Sequence, residues 1–273
     1  MNANNDADVR LHVKDSGGSG RPVVLIHGWP LSAESWEGQI EPLRSAGYRV
    51  IAYDRRGFGH SAKPDQGYDY DTLAADLHRL LEDNKLNDVT VVGFSMGGGE
   101  VARYVANHGE SRLHSVVFAS AVPPYMLETD DNPDGPLDEA TAKEMAESLR
   151  ADRDAFFERF SERFFTAGGE LKVGEAQRQK AIELCRQSDQ TAALGCMEAF
   201  GTTDFREDLG RITVPTLVIH GDADDIVPIE GSGRRTHEAV AGSRLEVLAG
   251  APHGCNVSHA AKFNEALIAF LRE

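Results

Sequence analysis

Val89-Thr90-Val91-Val92-Gly93-Phe94-Ser95-Met96-Gly97-Gly98-Gly99-Glu100-Val101-Ala102-Arg103-Tyr104 passes from a β-branched apolar run into a helical pattern within a few residues. A chain that turns this sharply from strand to helix holds the residue at the bend, Ser95, in a strained backbone. Glycines at 93 and 97 relieve the resulting clashes. The bend lifts the serine hydroxyl clear of the sheet, and the helix N-terminus behind it offers positive potential to a developing negative charge. The stretch therefore predicts a strand, a tight turn carrying a nucleophile, and a helix packed close through Gly97-Gly98-Gly99.

Short apolar runs of the same kind recur on either side. Val23-Val24-Leu25-Ile26, Arg49-Val50-Ile51-Ala52-Tyr53, Ser115-Val116-Val117-Phe118 and Thr216-Leu217-Val218-Ile219 lack polar alternation. That is the signature of strands covered on both faces of a parallel sheet. Arg244-Leu245-Glu246-Val247-Leu248 is a weaker last strand. Helical patterns lie between them: residues 35–46, 71–84, 96–107 and 257–271, with Asp71 as a candidate N-cap for the second. Alternating strand and helix predicts right-handed crossovers and an α/β, doubly wound, mostly parallel sheet.

One interval breaks the alternation. Residues 122–210 hold no convincing strand. They open on irregular chain marked by Pro123-Pro124 and Asp130-Asp131-Asn132-Pro133-Asp134-Gly135-Pro136, then run helical over 139–165, 175–186 and 190–200. They are expected to form a helical cap inserted into a core made of 1–121 and 211–273. Ligands of such sheets bind at the carboxyl ends of the strands, so a cap there would roof the site.

A nucleophilic serine needs a base, and the base needs an orienting carboxylate. Of the ten histidines, His253 lies in Gly250-Ala251-Pro252-His253-Gly254, a loop between the last strand and the last helix. His259 falls inside that helix, and His220 and His237 read as structural or exposed. The loop after Thr216-Leu217-Val218-Ile219 carries three acids, Asp222, Asp224 and Asp225. A turn needs polar residues there regardless, so at least two are expected to be turn-formers. No histidine spacing supports a metal in this loop. Backbone donors for an oxyanion are expected from Met96, just after the serine, and from Trp29 in His27-Gly28-Trp29-Pro30. Pro30 lacks an N–H and fixes its own φ, so it constrains where the Trp29 carbonyl points. His27 is expected to brace that loop, and Tyr53 to Ser61 to form a turn with internal ion pairs. The phenylalanines at 156, 157, 160, 164 and 165 serve equally as cap packing or as an apolar wall for an acyl or aryl group.

Taken together, His27-Gly-Trp-Pro-Leu-Ser, Tyr53-Asp-Arg-Arg-Gly-Phe-Gly-His-Ser, Gly93-Phe-Ser-Met-Gly-Gly-Gly-Glu, His220-Gly-Asp-Ala-Asp and Gly250-Ala-Pro-His-Gly resemble the cofactor-free bacterial haloperoxidases (non-haem chloroperoxidases) and related aryl esterases. These have the α/β-hydrolase fold. The likeness covers most of the chain and is weakest in the cap. Arg10-Leu11-His12-Val13-Lys14 resembles the family's opening strand pair. The resemblance implies a triad of Ser95, Asp224 and His253, with the amides of Trp29 and Met96 as the oxyanion hole and Asp224 chosen among the three acids. It implies acyl-enzymes resolved by water, or by hydrogen peroxide to a peracid, with no haem or metal, and it suggests a homo-oligomer. Small esters, or carboxylic acids plus peroxide, are the expected substrates. A lactam amidase, a lactone hydrolase, a carbon–carbon bond hydrolase, or a lyase or receptor on the same scaffold would carry the same motifs. Dehalogenase and epoxide-hydrolase readings require an Asp where Ser95 stands.

Composition sets the outer limits. The chain has 273 residues, 41% hydrophobic and 26% charged, with a formal net charge of -16, ordinary for a globular protein with a substantial core. So acidic a surface repels phosphate backbones and anionic lipid heads, so neither nucleic acid nor membrane is an expected partner. The N-terminus shows no basic patch followed by an apolar run, and no stretch is apolar for long enough to span a bilayer. Three cysteines without metal-type spacing make a disulfide framework improbable and a reducing cytoplasm the expected setting.

Overall fold

The computed structural model describes residues 9–273. The first eight residues, on which the reading of the N-terminus partly rests, lie outside them. Strands β1 (His12–Asp15), β2 (Pro22–Ile26), β3 (Arg49–Asp54), β4 (Val89–Phe94) and β5 (Leu113–Ala119) alternate with helices α1 (Glu37–Ser45), α2 (Tyr70–Asp83) and α3 (Met96–His108). After β5 come α4 (Glu139–Ala151), α5 (Arg153–Phe165), the two-residue strands β6 (Thr166–Ala167) and β7 (Glu170–Leu171), α6 (Glu175–Arg186), α7 (Gln190–Thr202) and α8 (Arg206–Leu209). The sheet resumes with β8 (Thr216–Gly221), α9 (Gly233–Ala239), β9 (Arg244–Leu248), α10 (Cys255–Ser258) and α11 (Ala260–Leu271).

Seven strands form one sheet in the order β1-β3-β2-β4-β5-β8-β9. Every pairing is parallel except β1 with β3. Every residue of β4 and β8 is buried, as expected of strands roofed on both faces. The chain runs from β2 outward to β3, then crosses back to place β4 on the other side of β2. Loops leaving the carboxyl ends of β2 and β4 therefore diverge, and a crevice opens between them. Among the described residues no helix is long and apolar enough to cross a membrane.

Several element boundaries differ from the sequence reading, each for a local reason. Asp69, not Asp71, caps α2, its carboxylate accepting from the Thr72 amide at 2.9 Å. Asp71 instead takes an ion pair with Arg103. The helix expected over 139–165 breaks at Asp152, whose extended backbone and side chain start α5 by accepting from the Ala155 amide. The final helix is likewise broken at His259. The helix expected from 35 begins as a 3-10 turn, Ala33–Trp36, capped by Ser32. The strandless interval holds one small hairpin, β6–β7, turned by Gly168 and Gly169, both at positive φ as a tight two-residue turn requires. Among the described residues a single strand, β1, precedes β2, and it pairs antiparallel with β3.

Candidate active site

The β4–α3 turn puts Ser95 at φ 54°, ψ -118°, a conformation that costs a non-glycine residue of order 1–3 kcal/mol. It persists because the surroundings leave no alternative. A Cβ at residue 93 would lie 2.4 Å from the Gly97 carbonyl oxygen, and one at residue 97 would lie 2.8 Å from that of Ile26. Strand and helix are thereby pressed together with Ser95 at the apex.

His253 arrives on the loop after β9. Its Nε2 lies 3.0 Å from Ser95 Oγ and its Nδ1 2.7 Å from Asp224 Oδ2. All three side chains are almost fully buried. Asp224 sits on the loop after β8, where its other oxygen accepts from the amides of Ile226 (2.9 Å) and Val227 (2.8 Å). Burial alone would raise its pKa. Electrostatic attraction and hydrogen bonding from His253, and then from His220, overcome that and hold the carboxyl well below the usual carboxylate range. An acceptor fixed against Nδ1 makes His253 carry its proton there and leaves Nε2 free to accept from the serine.

The other two acids of the loop face elsewhere. Asp222 accepts from the Gly250 amide at 2.6 Å, fastening the β8 loop to the His253 loop. Asp225 is exposed, and its backbone carbonyl accepts from Arg163 in α5 at 2.6 Å. Gly28 packs so tightly on the turn that a Cβ there would lie 2.7 Å from the Phe94 ring and 3.1 Å from Ser95 Cβ. That approach draws the Trp29 backbone alongside the serine. Met96 opens α3, where an amide has no partner within the helix. His27 braces this loop as expected: its Nε2 accepts from the Arg55 amide at 3.0 Å, and its Nδ1 is 2.9 Å from the Gly28 carbonyl. Burial, and then the nearby Arg55 charge, push its pKa far down, so the ring stays neutral.

The sequence reading placed the ion pairs of residues 53–61 inside that turn, whereas they reach out of it. Arg55 pairs with Glu100 of α3, which also accepts from Tyr53 Oη at 2.7 Å, and Arg56 pairs with Asp76 of α2. Asp54 is structural, accepting from the amides of Ala33 and His60. Of the two roles open to His220, structural or exposed, the structure shows the structural one. It is buried at the end of β8, donates from Nε2 to the Val227 carbonyl at 2.8 Å, and lies 3.4 Å from Asp224. Its position four residues before Asp224 was the available signal.

The cap phenylalanines divide between both roles. Phe157 and Phe165 are buried packing. The Phe164 ring meets the His253 ring edge-on at 5.1 Å, and its carbonyl accepts from the Gly254 amide. Phe156, Phe160 and Phe200 surround the Trp29 indole, whose Nε1 donates to the Ala193 carbonyl of α7 at 2.9 Å. Phe160 and Phe200 join Trp29, Val122, Met126 and Ile226 in lining a small chamber of about 50 Å³ over Ser95 and His253.

Residues 21–260 match the family model of the α/β-hydrolase fold. The chain is 43% identical to a putative non-heme chloroperoxidase of Synechocystis sp., covering 98% of this chain and 97% of that one. A solved bromoperoxidase structure from Bacillus anthracis superposes with a TM-score of 0.95 at 50% identity, covering 97% and 96% of the two chains. This chain belongs to the α/β-hydrolase family. Within it, the chain is a member of the non-haem haloperoxidase group. A bifunctional esterase/perhydrolase of Acinetobacter calcoaceticus is a further relative, 35% identical over 97% of this chain and 96% of its own. This α/β-hydrolase thus has the fold and the family expected from its motifs.

Proposed function

We propose that this enzyme is a serine esterase that also acts as a perhydrolase, with Ser95 as nucleophile, His253 as base and Asp224 as orienting acid. One observation carries the reading: an unbroken relay from Ser95 Oγ through both nitrogens of His253 to Asp224, in contacts of 3.0 and 2.7 Å. His253 Nε2 takes the serine proton as Oγ attacks the substrate carbonyl, and the amides of Trp29 and Met96 hold the oxyanion. The proton then passes to the leaving alkoxide, or to hydroxide leaving as water when the substrate is a carboxylic acid. Water resolves the acyl-enzyme to acid. Hydrogen peroxide resolves it to peracid, so that acid and peroxide give peracid and water. The peracid oxidises halide in solution.

The chamber over Ser95 suits a short acyl group, and residues 122–210 serve as its cap. Peroxide competes with water when its distal O–H finds an acceptor. The Trp29 carbonyl, directed by Pro30, is assigned that part, and Pro30→Leu is expected to lower the perhydrolysis-to-hydrolysis ratio. Three buried free thiols suit a reducing cytoplasm. Turnover of p-nitrophenyl acetate with and without peroxide, beside bromination in acetate buffer, tests the reading. Both activities should vanish in Ser95→Ala, along with labelling by a fluorophosphonate. Retention of either would remove Ser95 from the mechanism.

A further inference from the structure

Two outer cavities abut the chamber over Ser95, and they differ in charge. The larger, about 900 Å³, shares Leu137, Met145 and Phe200 with the chamber and carries Asp65, Asp69 and Glu198 against a single Arg150. The smaller, about 280 Å³, opens between α4 and α5 and shares Met145 and Phe160 with the chamber. Its rim holds Arg159 and Arg163, with Glu144 as the one acid.

Neither arginine has a carboxylate partner among the described residues of this chain. It carries 44 acidic against 28 basic side chains, and most arginines sit against a carboxylate, as Arg178 and Arg186 do on the neighbouring helix. Arg159 and Arg163 are exposed, stand one turn apart on α5, and make no ion pair among the described residues. Arg159 donates to Ser148 Oγ at 2.8 Å and Arg163 to the Asp225 carbonyl at 2.6 Å. Those neutral acceptors aim the guanidinium groups without neutralising them. Two like charges four residues apart weaken a helix slightly, so helix α5 by itself gains nothing from placing them together.

We propose that the cleft between α4 and α5 is a mouth for small carboxylates, held by Arg159 and Arg163 and leading to Ser95 past Met145 and Phe160. It rests on the esterase and perhydrolase reading above and deepens it. A perhydrolase that starts from a free acid must draw an anion towards a protein of net charge -16, and an esterase must release one. Paired planar guanidinium groups match a carboxylate's two oxygens, and the cavity dominated by carboxylates repels it. Neutral esters have no need of the arginines.

The test compares inhibition of p-nitrophenyl acetate hydrolysis by propionate with inhibition by neutral propionamide, near neutral pH and at low salt. In the double variant Arg159→Gln with Arg163→Gln, the propionate constant should weaken about fivefold relative to the propionamide constant, the scale of an exposed charge pair. Added salt should weaken propionate in the wild type but leave propionamide unaffected. Arg159→Gln alone, which leaves the contact to the Asp225 carbonyl in place, should show part of the same shift. That separates charge from a disturbed Asp224 loop. An unchanged ratio of the two constants in the double variant would overturn the carboxylate mouth. Absence of ester hydrolysis in the wild type would overturn the reading of Ser95 itself, and the mouth with it.

Discussion

Asp224→Asn tests how the site divides its labour. The carboxylate makes three short contacts: Oδ1 with the amides of Ile226 and Val227, Oδ2 with His253 Nδ1. An asparagine can keep its oxygen on the two amides, so the loop should hold its shape. Its NH2 then faces His253 Nδ1, which must become an acceptor, and the ring proton moves to Nε2. The nitrogen 3.0 Å from Ser95 Oγ can no longer take the serine proton. In a serine triad this wrong tautomer costs about 10⁴ in kcat, or roughly 5.5 kcal/mol of transition-state stabilisation at 1.36 kcal/mol per decade. KM should change little, because no group that touches substrate has moved. The assay is steady-state p-nitrophenyl acetate turnover, with Asp225→Asn alongside as a near-neutral comparison. Stability supplies a second readout. The folded-state pKa of Asp224 lies below its unfolded value of about 3.9. The stability it contributes is therefore complete above that value and is lost as pH falls through the folded pKa. The urea-unfolding gap between wild type and variant should be largest near neutrality and close in acid. An Asp224→Asn enzyme with more than about a tenth of wild-type kcat would refute the assignment of the acid and the tautomer argument together.

Further outcomes follow from other contacts. His27 is held neutral, so the unfolded chain binds an extra proton below about pH 6.5, and stability should fall there by up to about 1.4 kcal/mol per pH unit. His27→Gln should lose that part of the slope, and identical urea midpoints against pH in both proteins would contradict it. Glu100→Gln strands the buried Arg55 charge and should cost about 3–5 kcal/mol, read as a drop in urea midpoint. Trp29→Phe keeps a ring among Phe156, Phe160 and Phe200 but loses the bond to Ala193, and should cost about 1 kcal/mol in thermal unfolding. No change in melting temperature would show that water replaces the indole there.

The parts legible in the sequence were those governed by local rules. Ser95 was readable because a strand, two glycines and a helix in sequence leave few ways to turn. The order of sheet and helix was readable because buried parallel strands have no polar alternation. Contacts made across the fold were not readable. Nothing in Tyr53-Asp54-Arg55-Arg56 says that its arginines reach Glu100 and Asp76, since those carboxylates come from other helices. The placing of α2's cap at Asp69 turned on whether a carboxylate reached Thr72 or Arg103, a choice made by α3. The phenylalanines of α5 follow helical spacing whether they pack the cap or touch His253, so periodicity could not separate Phe164 from Phe165. For His220 the reading left structural and exposed roles open, and the structure selects the structural one, buried beside Asp224.

The insertion carrying α4 to α8 leaves the sheet at the end of β5 and returns at β8, and these two strands are hydrogen-bonded neighbours, Val116 beside Thr216. Because the two strands run parallel, the insertion leaves at the carboxyl end of β5, Ala119, and returns at the amino end of β8, Thr216, so its ends are staggered by three residues along the strands, about 10 Å, besides one inter-strand spacing. A roof of another length or shape could be spliced at the same seam without shifting the register of any strand. The loops that carry the chemistry are less free: Arg163 holds the Asp225 carbonyl, and Phe164 meets the His253 ring and takes the Gly254 amide, so an exchanged roof must supply those supports anew if carboxylate and imidazole are to keep their places.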